Sequence, residues 1–225
     1  MTERSLAVVI LAAGQGTRMK STLPKVLHRI GGRSHIPHLL DTVAGLSPQP
    51  DVAVVRHERE RVSDAIIDHA PDTVIVGQDE VPGTGRAVEQ AISALPSDFD
   101  GTVVVLSGDV PLIDAVTIER LVRGHLEGGR AMTMLSAIFE NPTGLGRILR
   151  DSSGAVTGIV EEKDATDMQR RITEINGGIY VFARRAIEQA LTEIDTNNAQ
   201  GEKYLTDAAA HILASGGAVE AVATN

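Results

Sequence analysis

The sequence predicts an α/β fold in which helices cover both faces of a mostly parallel sheet. Short apolar runs rich in β-branched residues, such as residues 6–11 and 102–106, have the composition of strands that are buried on both faces. Segments with the apolar spacing of helices separate these runs as far as residue 126. Because strands and helices that alternate in this way form right-handed βαβ units, a parallel sheet is expected.

The first 130 residues contain the alternating elements. We predict strands at residues 6–11, 51–56, 73–77 and 102–106, and helices at residues 36–46, 58–69, 86–95 and 114–126. Proline-containing breakers end the first two helices. Thr84 and Asp114 are predicted to cap the last two, because their side-chain oxygens can accept from the first backbone amides of a helix.

The residues after 130 are richer in strands. We predict strands at residues 131–139, 147–150, 156–161 and 178–183, followed by closing helices at residues 185–194 and 204–214. We therefore predict a single domain over residues 1–225. It would consist of a core up to about residue 130 and, from about residue 131, a small β-rich lobe with the closing helices.

The composition excludes several classes of site and partner. The 225 residues carry a formal net charge of −9, which argues against binding to nucleic acid or to an anionic membrane. There is no cysteine, which excludes disulfides, a catalytic thiolate and a zinc–thiolate site. No apolar run approaches the roughly 18 residues of a membrane-spanning helix, and the N-terminus does not resemble a signal peptide. We expect a soluble, cytoplasmic protein.

A loop with few side chains follows the first strand. Small residues let backbone amides approach a phosphate closely, and two cations follow them. The small residues are Ala12, Ala13, Gly14 and Gly16, and the cations are Arg18 and Lys25. The loop matches neither the P-loop nor the dinucleotide fingerprint, since Met19 stands where the fingerprint has its third glycine. The pattern indicates a nucleoside triphosphate site, and the alternative is a glycine-rich turn flanked by solvated cations.

A carboxylate follows the most apolar strand. Ser107, Gly108 and Asp109 come directly after residues 102–106, at the edge of a parallel sheet where ligands bind. Mg²⁺ prefers one or two carboxylates together with phosphate oxygens, so Asp109 is a candidate metal ligand. The alternative is a turn or helix-capping aspartate. Gln78, which follows the third strand, is expected to be a surface polar residue when it is taken alone.

Three longer motifs carry a resemblance to a known family. Residues 11–19, L-A-A-G-x-G-T-R-M, and residues 23–27, L-P-K-V-L, resemble the signature of sugar-nucleotide pyrophosphorylases. Residues 197–207, N-N-A-Q-G-E-K-Y-L-T-D, are similar to a segment specific to the N-acetylglucosamine-1-phosphate branch. The whole chain resembles the uridylyltransferase domain of the bacterial bifunctional enzyme that makes UDP-N-acetylglucosamine for peptidoglycan. This resemblance implies a Rossmann-like fold of the nucleotide-diphospho-sugar transferase type, with a nucleotide-binding core and a sugar-binding lobe.

The resemblance also implies a reaction and the residues that carry it. UTP and N-acetylglucosamine 1-phosphate would give UDP-N-acetylglucosamine and pyrophosphate, with Mg²⁺ held by Asp109. Arg18, Lys25 and Asp109 would be catalytic. The implied substrate-binding positions are Leu11, Ala12, Ala13, Gly14, Lys25, Gln78, Gly83, Thr84, Ser107, Gly108, Asp109, Gly146, Glu161 and Asn176. Among them, Gln78, Gly83 and Thr84 would recognise the base, and Gly146, Glu161 and Asn176 would bind the acetamido sugar.

The chain departs from the family pattern at several points. Arg86 stands where a histidine is frequent, and Gly177 where a threonine is frequent. The resemblance places a second metal ligand, an asparagine, shortly beyond Asn225, and it adds a left-handed β-helix acetyltransferase domain that these 225 residues do not contain. A fragment is therefore expected, and a homotrimer only where that domain is present. Two alternatives stay open: a nucleotidyltransferase for another sugar phosphate, or a UDP-sugar-binding module with little catalysis.

Overall fold

The structure is a computed structural model that describes residues 5–14, 16 and 19–224. Its strands are β1 (Leu6–Ala12), β2 (Arg29–Ile30), β3 (Arg33–Ser34), β4 (Asp51–Val55), β5 (Val74–Gly77), β6 (Thr102–Ser107), β7 (Met132–Ile138), β8 (Arg147–Arg150), β9 (Val156–Val160), β10 (Glu174–Ala183) and β11 (Val219–Thr224). Its α-helices are α1 (His35–Leu46), α2 (Arg59–Ile67), α3 (Thr84–Ala94), α4 (Ala115–Glu127), α5 (Asp167–Arg170), α6 (Arg184–Glu193) and α7 (Ala208–Ala214). The described residues also form 3₁₀ helices at Lys25–Leu27 and Leu205–Asp207.

The strands form one mixed sheet in the order β11-β7-β10-β6-β1-β4-β5. The central strands β6, β1, β4 and β5 are parallel, as the alternation of strands and helices predicts. Strand β10 is antiparallel to both β6 and β7, and β11 is parallel to β7. The hairpin of β8 and β9 extends from the end of β10. The described parts of both halves of the chain therefore share one sheet.

Helices cover both faces of the sheet, as predicted. Successive residues of the central strands point to opposite faces, so their apolar runs supply two cores. Val9 and Val105 pack with residues of α3, α6 and α7, whereas Val8 and Val104 pack with residues of α1, α2 and α4. All four valines are fully buried. This double burial explains why the strands are apolar without alternation. Within the part of the chain that the structure describes, no helix combines the length and apolarity needed to cross a membrane.

The structure differs from the predicted elements mainly after residue 170. Strand β10 begins at Glu174 rather than at residue 178, with a register shift between Asn176 and Tyr180. Its two internal glycines weaken the local strand signal. The predicted helix 204–214 is a 3₁₀ turn followed by α7. The closing strand β11 was not predicted.

Candidate active site

A cavity of about 970 Å³ lies where β1, β6 and β10 approach the hairpin of β8 and β9. Its walls come from both halves of the chain, because β10 lies directly beside β6. The predicted site residues that line it are Leu11, Thr84, Ser107, Asp109, Gly146, Glu161 and Asn176. The cavity therefore joins the predicted phosphate end and the predicted sugar end in one space.

Asp109 lies at one end of this cavity, two residues beyond β6. Its carboxylate accepts hydrogen bonds from the Ser107 hydroxyl and the Lys25 ammonium group. The Gly108 amide donates to the Leu11 carbonyl over 3.0 Å, which joins the ends of β6 and β1. A Cβ at Gly108 would lie 2.7 Å from that carbonyl oxygen. Glycine is therefore required for the close approach that aims Asp109 into the cavity.

Lys25 reaches Asp109 from the start of a 3₁₀ helix that follows Pro24. Partial burial acts to raise the pKa of Asp109, but hydrogen bonds from Lys25 and Ser107 outweigh it and lower the pKa below its ordinary value. Asp109 is therefore an ionised carboxylate at neutral pH. The helix-capping alternative for Asp109 does not apply, because Asp114 caps α4 by accepting from the Thr117 amide.

The loop after β1 contributes mainly backbone groups, rather than long side chains, to this part of the site. Leu11 lines the cavity, while Ala12 and Ala13 are buried beneath it. Gly14 is exposed, and among the described residues a Cβ there would meet no other atom within 4 Å. The loop is thus open towards solvent at Gly14. Arg18, predicted to be catalytic, lies outside the described residues.

The predicted base-recognition residues form a compact loop between β5 and α3. The Gln78 side-chain amide donates to the carbonyls of Val81 and Gly83, at 2.9 and 3.1 Å. Its donor group thus closes the loop, and neither Gln78 nor Gly83 lines the cavity among the described residues. Thr84 does line it. The predicted helix cap is wrong, because Thr84 is the first residue of α3 and Gly83 occupies the capping position without a side-chain bond.

Three predicted sugar-binding residues meet at the other end of the cavity. The Asn176 amide donates to the Gly146 carbonyl over 2.9 Å, which pairs the start of β8 with β10. Gly146 lies close to Glu161, since a Cβ built on it would be 3.4 Å from a carboxylate oxygen. The Asn176 side chain donates to the Tyr180 hydroxyl over 2.6 Å, and burial raises the pKa of Tyr180. Tyr180 therefore remains a neutral hydroxyl that fixes the amide.

A segment that sequence reasoning did not assign a role connects the two ends. Residues 203–206, which we call the strap, lie against the base loop and the sugar end. The Lys203 carbonyl accepts from the Gly85 amide over 2.8 Å, and the Leu205 amide donates to the Thr84 hydroxyl over 3.1 Å. The buried Thr206 hydroxyl donates to Glu161 over 3.1 Å. The strap belongs to the N-N-A-Q-G-E-K-Y-L-T-D motif. The sequence therefore marked this segment as characteristic of the family, but it did not indicate that the segment contacts both ends of the cavity.

Comparison with known proteins identifies the family. The model of the MobA-like NTP transferase domain matches residues 8–212. This chain belongs to that family. The Bifunctional protein GlmU of Leifsonia xyli subsp. xyli (strain CTCB07) is 54% identical over 222 residues, and that of Clavibacter sepedonicus is 56% identical over 218 residues. The resemblance inferred from the motifs is thereby confirmed.

The relatives are longer than this NTP transferase chain. The two alignments cover 99% and 97% of this chain but 46% and 44% of the relatives. The chain thus spans less than half the length of the curated relatives that it matches.

Two solved structures share the fold. UDP-glucose pyrophosphorylase complexed with UDP-glucose gives a TM-score of 0.77 at 14% identity, covering 94% of this chain and 88% of that one. HddC from Yersinia pseudotuberculosis, complexed with GMP-PN, gives a TM-score of 0.68 at 20% identity, covering 97% and 90%. The predicted fold type is confirmed.

Nucleotidyltransferases of this family generally use a divalent metal ion. Across residues 5–14, 16 and 19–224, no three His, Cys, Asp or Glu side chains come together as a metal site. Among the described residues that line the cavity, Asp109 alone provides a carboxylate at its phosphate end. A hard cation that takes one carboxylate and fills its other positions with water and phosphate oxygens fits this arrangement.

Proposed function

We propose that this NTP transferase transfers uridylyl from UTP to N-acetylglucosamine 1-phosphate, giving UDP-N-acetylglucosamine and pyrophosphate. The observation that carries the proposal is the single cavity between the Lys25–Asp109 pair and the cluster of Gly146, Glu161 and Asn176. The identity to proteins named GlmU supports it. Nucleotides and sugar phosphates are the substrate classes that the family and the fold favour. We propose that the reaction takes place in the cytoplasm and supplies cell-wall synthesis.

The proposed chemistry needs no catalytic base. A phosphate oxygen of the sugar phosphate forms a bond to the α-phosphorus of UTP. The bond from that phosphorus to the oxygen bridging to the β-phosphate breaks, and pyrophosphate leaves with the electron pair. The nucleophile is already an anion, so no proton has to be removed. The protein then acts by positioning the substrates and neutralising charge.

The phosphate end of the cavity would hold UTP. The backbone of residues 11–14 and the Arg18 side chain would bind the triphosphate, and the loop with Gln78 and Gly83 would bind uracil. Mg²⁺, as the proposed metal, would neutralise phosphate charge when it is held by Asp109. In the structure, the Lys25 ammonium group forms an ion pair with one oxygen of that carboxylate. Release from Asp109 would let the Lys25 ammonium group turn to the α-phosphate.

The sugar end would hold N-acetylglucosamine 1-phosphate. Glu161 can accept from two sugar hydroxyls, and Asn176 and the Gly146 amide can bind the hexose or its acetamido group. Gly146 directly precedes β8, Glu161 directly follows β9 and Asn176 is on β10, so we propose that residues from about 131 onward form the sugar-binding lobe. The cavity then lies between this lobe and the nucleotide-binding core.

The proposal is tested by measuring pyrophosphate release from UTP, N-acetylglucosamine 1-phosphate and Mg²⁺. We expect turnover with this pair that exceeds turnover with CTP, dTTP or glucose 1-phosphate. Preference for another pair would assign a different nucleotidyltransferase. Binding of UDP-N-acetylglucosamine by calorimetry, together with no pyrophosphate from any pair, would assign a binding module instead.

A further inference from the structure

Arg147, the first residue of β8, carries a guanidinium group that is buried outside the cavity. Its side chain is only 1% exposed and does not line the cavity. It donates to the Leu145 carbonyl, to Glu162 over 2.6 Å and to the Arg170 carbonyl over 3.3 Å. Burying a charge is costly unless it is paired and hydrogen-bonded, so these contacts must compensate for lost hydration.

The acceptors belong to three separate segments. Leu145 lies in the loop before β8, Glu162 in the turn after β9, and Arg170 at the end of α5. A guanidinium group can hold several acceptors in a fixed planar arrangement, which a lysine cannot do. Arg147 therefore links three segments whose other connections are the ladder of β8 and β9 and a contact of the Arg170 side chain with the Glu162 carbonyl over 3.4 Å.

Two of these acceptors are chain neighbours of sugar-end residues. Leu145 precedes Gly146, and Glu162 follows Glu161. A Cβ on Gly146 would lie only 3.4 Å from Glu161, so a small shift of either segment changes the space for a sugar ring. Arg147 thus affects the space for a sugar ring through the segments that carry Gly146 and Glu161, without lining the cavity itself.

We propose that Arg147 is a positioning residue that selects the sugar half of the substrate by fixing Gly146 and Glu161. The proposal rests on the proposed function, because it assigns the sugar to this end of the cavity. It predicts an effect confined to ligands that contain the sugar. The proposed nucleotide contacts lie around β1, β6 and the base loop, and the acceptors of Arg147 all lie elsewhere.

The test compares Arg147→Met with Arg150→Met. Arg150 is a matched control at the other end of β8, because it also pairs with a glutamate, Glu174, donates to carbonyl groups and does not line the cavity. Unlike the acceptors of Arg147, its acceptors are not chain neighbours of Gly146 or Glu161. Calorimetry with Mg²⁺ would measure the affinities for UDP-N-acetylglucosamine and for UTP. For Arg147→Met we expect about tenfold weaker binding of UDP-N-acetylglucosamine, the scale of one lost hydrogen bond, and less than about twofold change for UTP. Arg150→Met should change neither affinity.

A second readout is the Michaelis constant. Arg147→Met should raise KM for N-acetylglucosamine 1-phosphate and leave KM for UTP near the wild-type value. Glu162→Gln, which keeps an acceptor for Arg147, should shift the same constants less. If circular dichroism shows that Arg147→Met does not fold, Arg147→Lys replaces it with the same expectation.

Three results would overturn the inference. Unchanged binding of UDP-N-acetylglucosamine in the Arg147 variants would remove any positioning role. Equal losses for UTP and UDP-N-acetylglucosamine would make Arg147 a residue of general stability. Failure of the unsubstituted chain to bind UDP-N-acetylglucosamine would overturn the proposed function and this inference together. Measuring the unsubstituted chain first therefore separates a failure of the proposed function from a failure of the inference about Arg147.

Discussion

At the scale of single residues, the contact between Lys25 and Asp109 sets the charge of the site. The side chains are 34% and 40% exposed, and ion pairs this exposed contribute little to stability. The pair keeps an ammonium group and a carboxylate beside each other at the phosphate end of the cavity. This arrangement suits the proposed ligand, a triphosphate that carries negative charge together with a cation.

Lys25→Ala should lower turnover far more than it weakens UTP binding. The ammonium group is proposed to meet charge that develops at the α-phosphate, and loss of one such preorganised group costs about 10²–10³ in rate. Arg123→Ala, which removes an exposed cation from α4, is the control and should change neither quantity. Steady-state kinetics and calorimetry measure the two effects. A variant within a few-fold of wild-type turnover would exclude Lys25 from catalysis.

Asp109→Asn should abolish metal-dependent activity and leave the fold intact. An amide keeps the shape of the carboxylate but not the charge that competes with water for a hard cation. The Ser107 hydroxyl can still donate to the amide oxygen, so the end of β6 should keep its structure. Pyrophosphate release over a Mg²⁺ titration, with circular dichroism as the folding check, measures both. Wild-type activity at millimolar Mg²⁺ would make Asp109 a turn residue only.

At the scale of elements, the strap ties the base loop to the sugar end. Gly83 has φ +115, and a Cβ there would lie 2.2 Å from the Lys203 carbonyl oxygen. Gly154, in the turn between β8 and β9, also has positive φ (+87), but a Cβ there would meet nothing within 4 Å. Comparing alanine substitutions at the two glycines therefore separates the cost of backbone strain from the cost of a steric clash.

Gly83→Ala should destabilise the protein more than Gly154→Ala. We expect about 1 kcal/mol for Gly154→Ala from the left-handed backbone alone, and about 3 kcal/mol for Gly83→Ala, where the strap must also move. Urea unfolding measures both losses. Equal losses would show that the strap yields without cost.

The ion pair of Arg150 and Glu174 joins β8 to β10 and gives a pH-dependent contribution to stability. Hydrogen bonds from Arg150 hold the pKa of Glu174 below its ordinary value. The contribution is therefore present above the unfolded-state pKa of about 4.3 and is lost as pH falls through the folded-state pKa.

Glu174→Gln should destabilise the protein by about 1–2 kcal/mol at pH 7, and the difference from wild type should shrink at pH 3. Denaturant unfolding at the two pH values measures this change. Asp98→Asn, which removes an exposed carboxylate before β6, is the control and should have little effect at either pH. A difference that is independent of pH would assign the loss to packing.

At the scale of the whole molecule, β10 lies between β6 and β7 and makes one sheet from both halves of the chain. We expect one cooperative unfolding transition. The chain has no tryptophan and two tyrosines, Tyr180 on β10 and Tyr204 in the strap, so tyrosine fluorescence reports on the second half. Its denaturation curve should coincide with that of far-UV circular dichroism, which reports on the whole fold. A fluorescence transition at lower denaturant would mean that the second half unfolds separately.

The sequence by itself determined the parallel centre of the sheet and the chemical groups of the proposed site. Burial on both faces makes each central strand apolar, and this property is local, so β1, β4 and β6 were predictable within one residue. The position of Asp109 at the cavity was predictable because it follows such a strand. The sugar-end residues came from the family motifs rather than from local pattern.

Only the tertiary structure decided which groups face one another. Lys25 and Asp109 are 84 residues apart, and their contact depends on the order of β1 and β6 in the sheet. The same holds for the strap, for the place of β10 and for the buried contacts of Arg147. Local periodicity indicates whether a residue is buried, but a buried residue could pack against many different segments of the chain. The choice among them is made by the sheet order, which brings distant segments together.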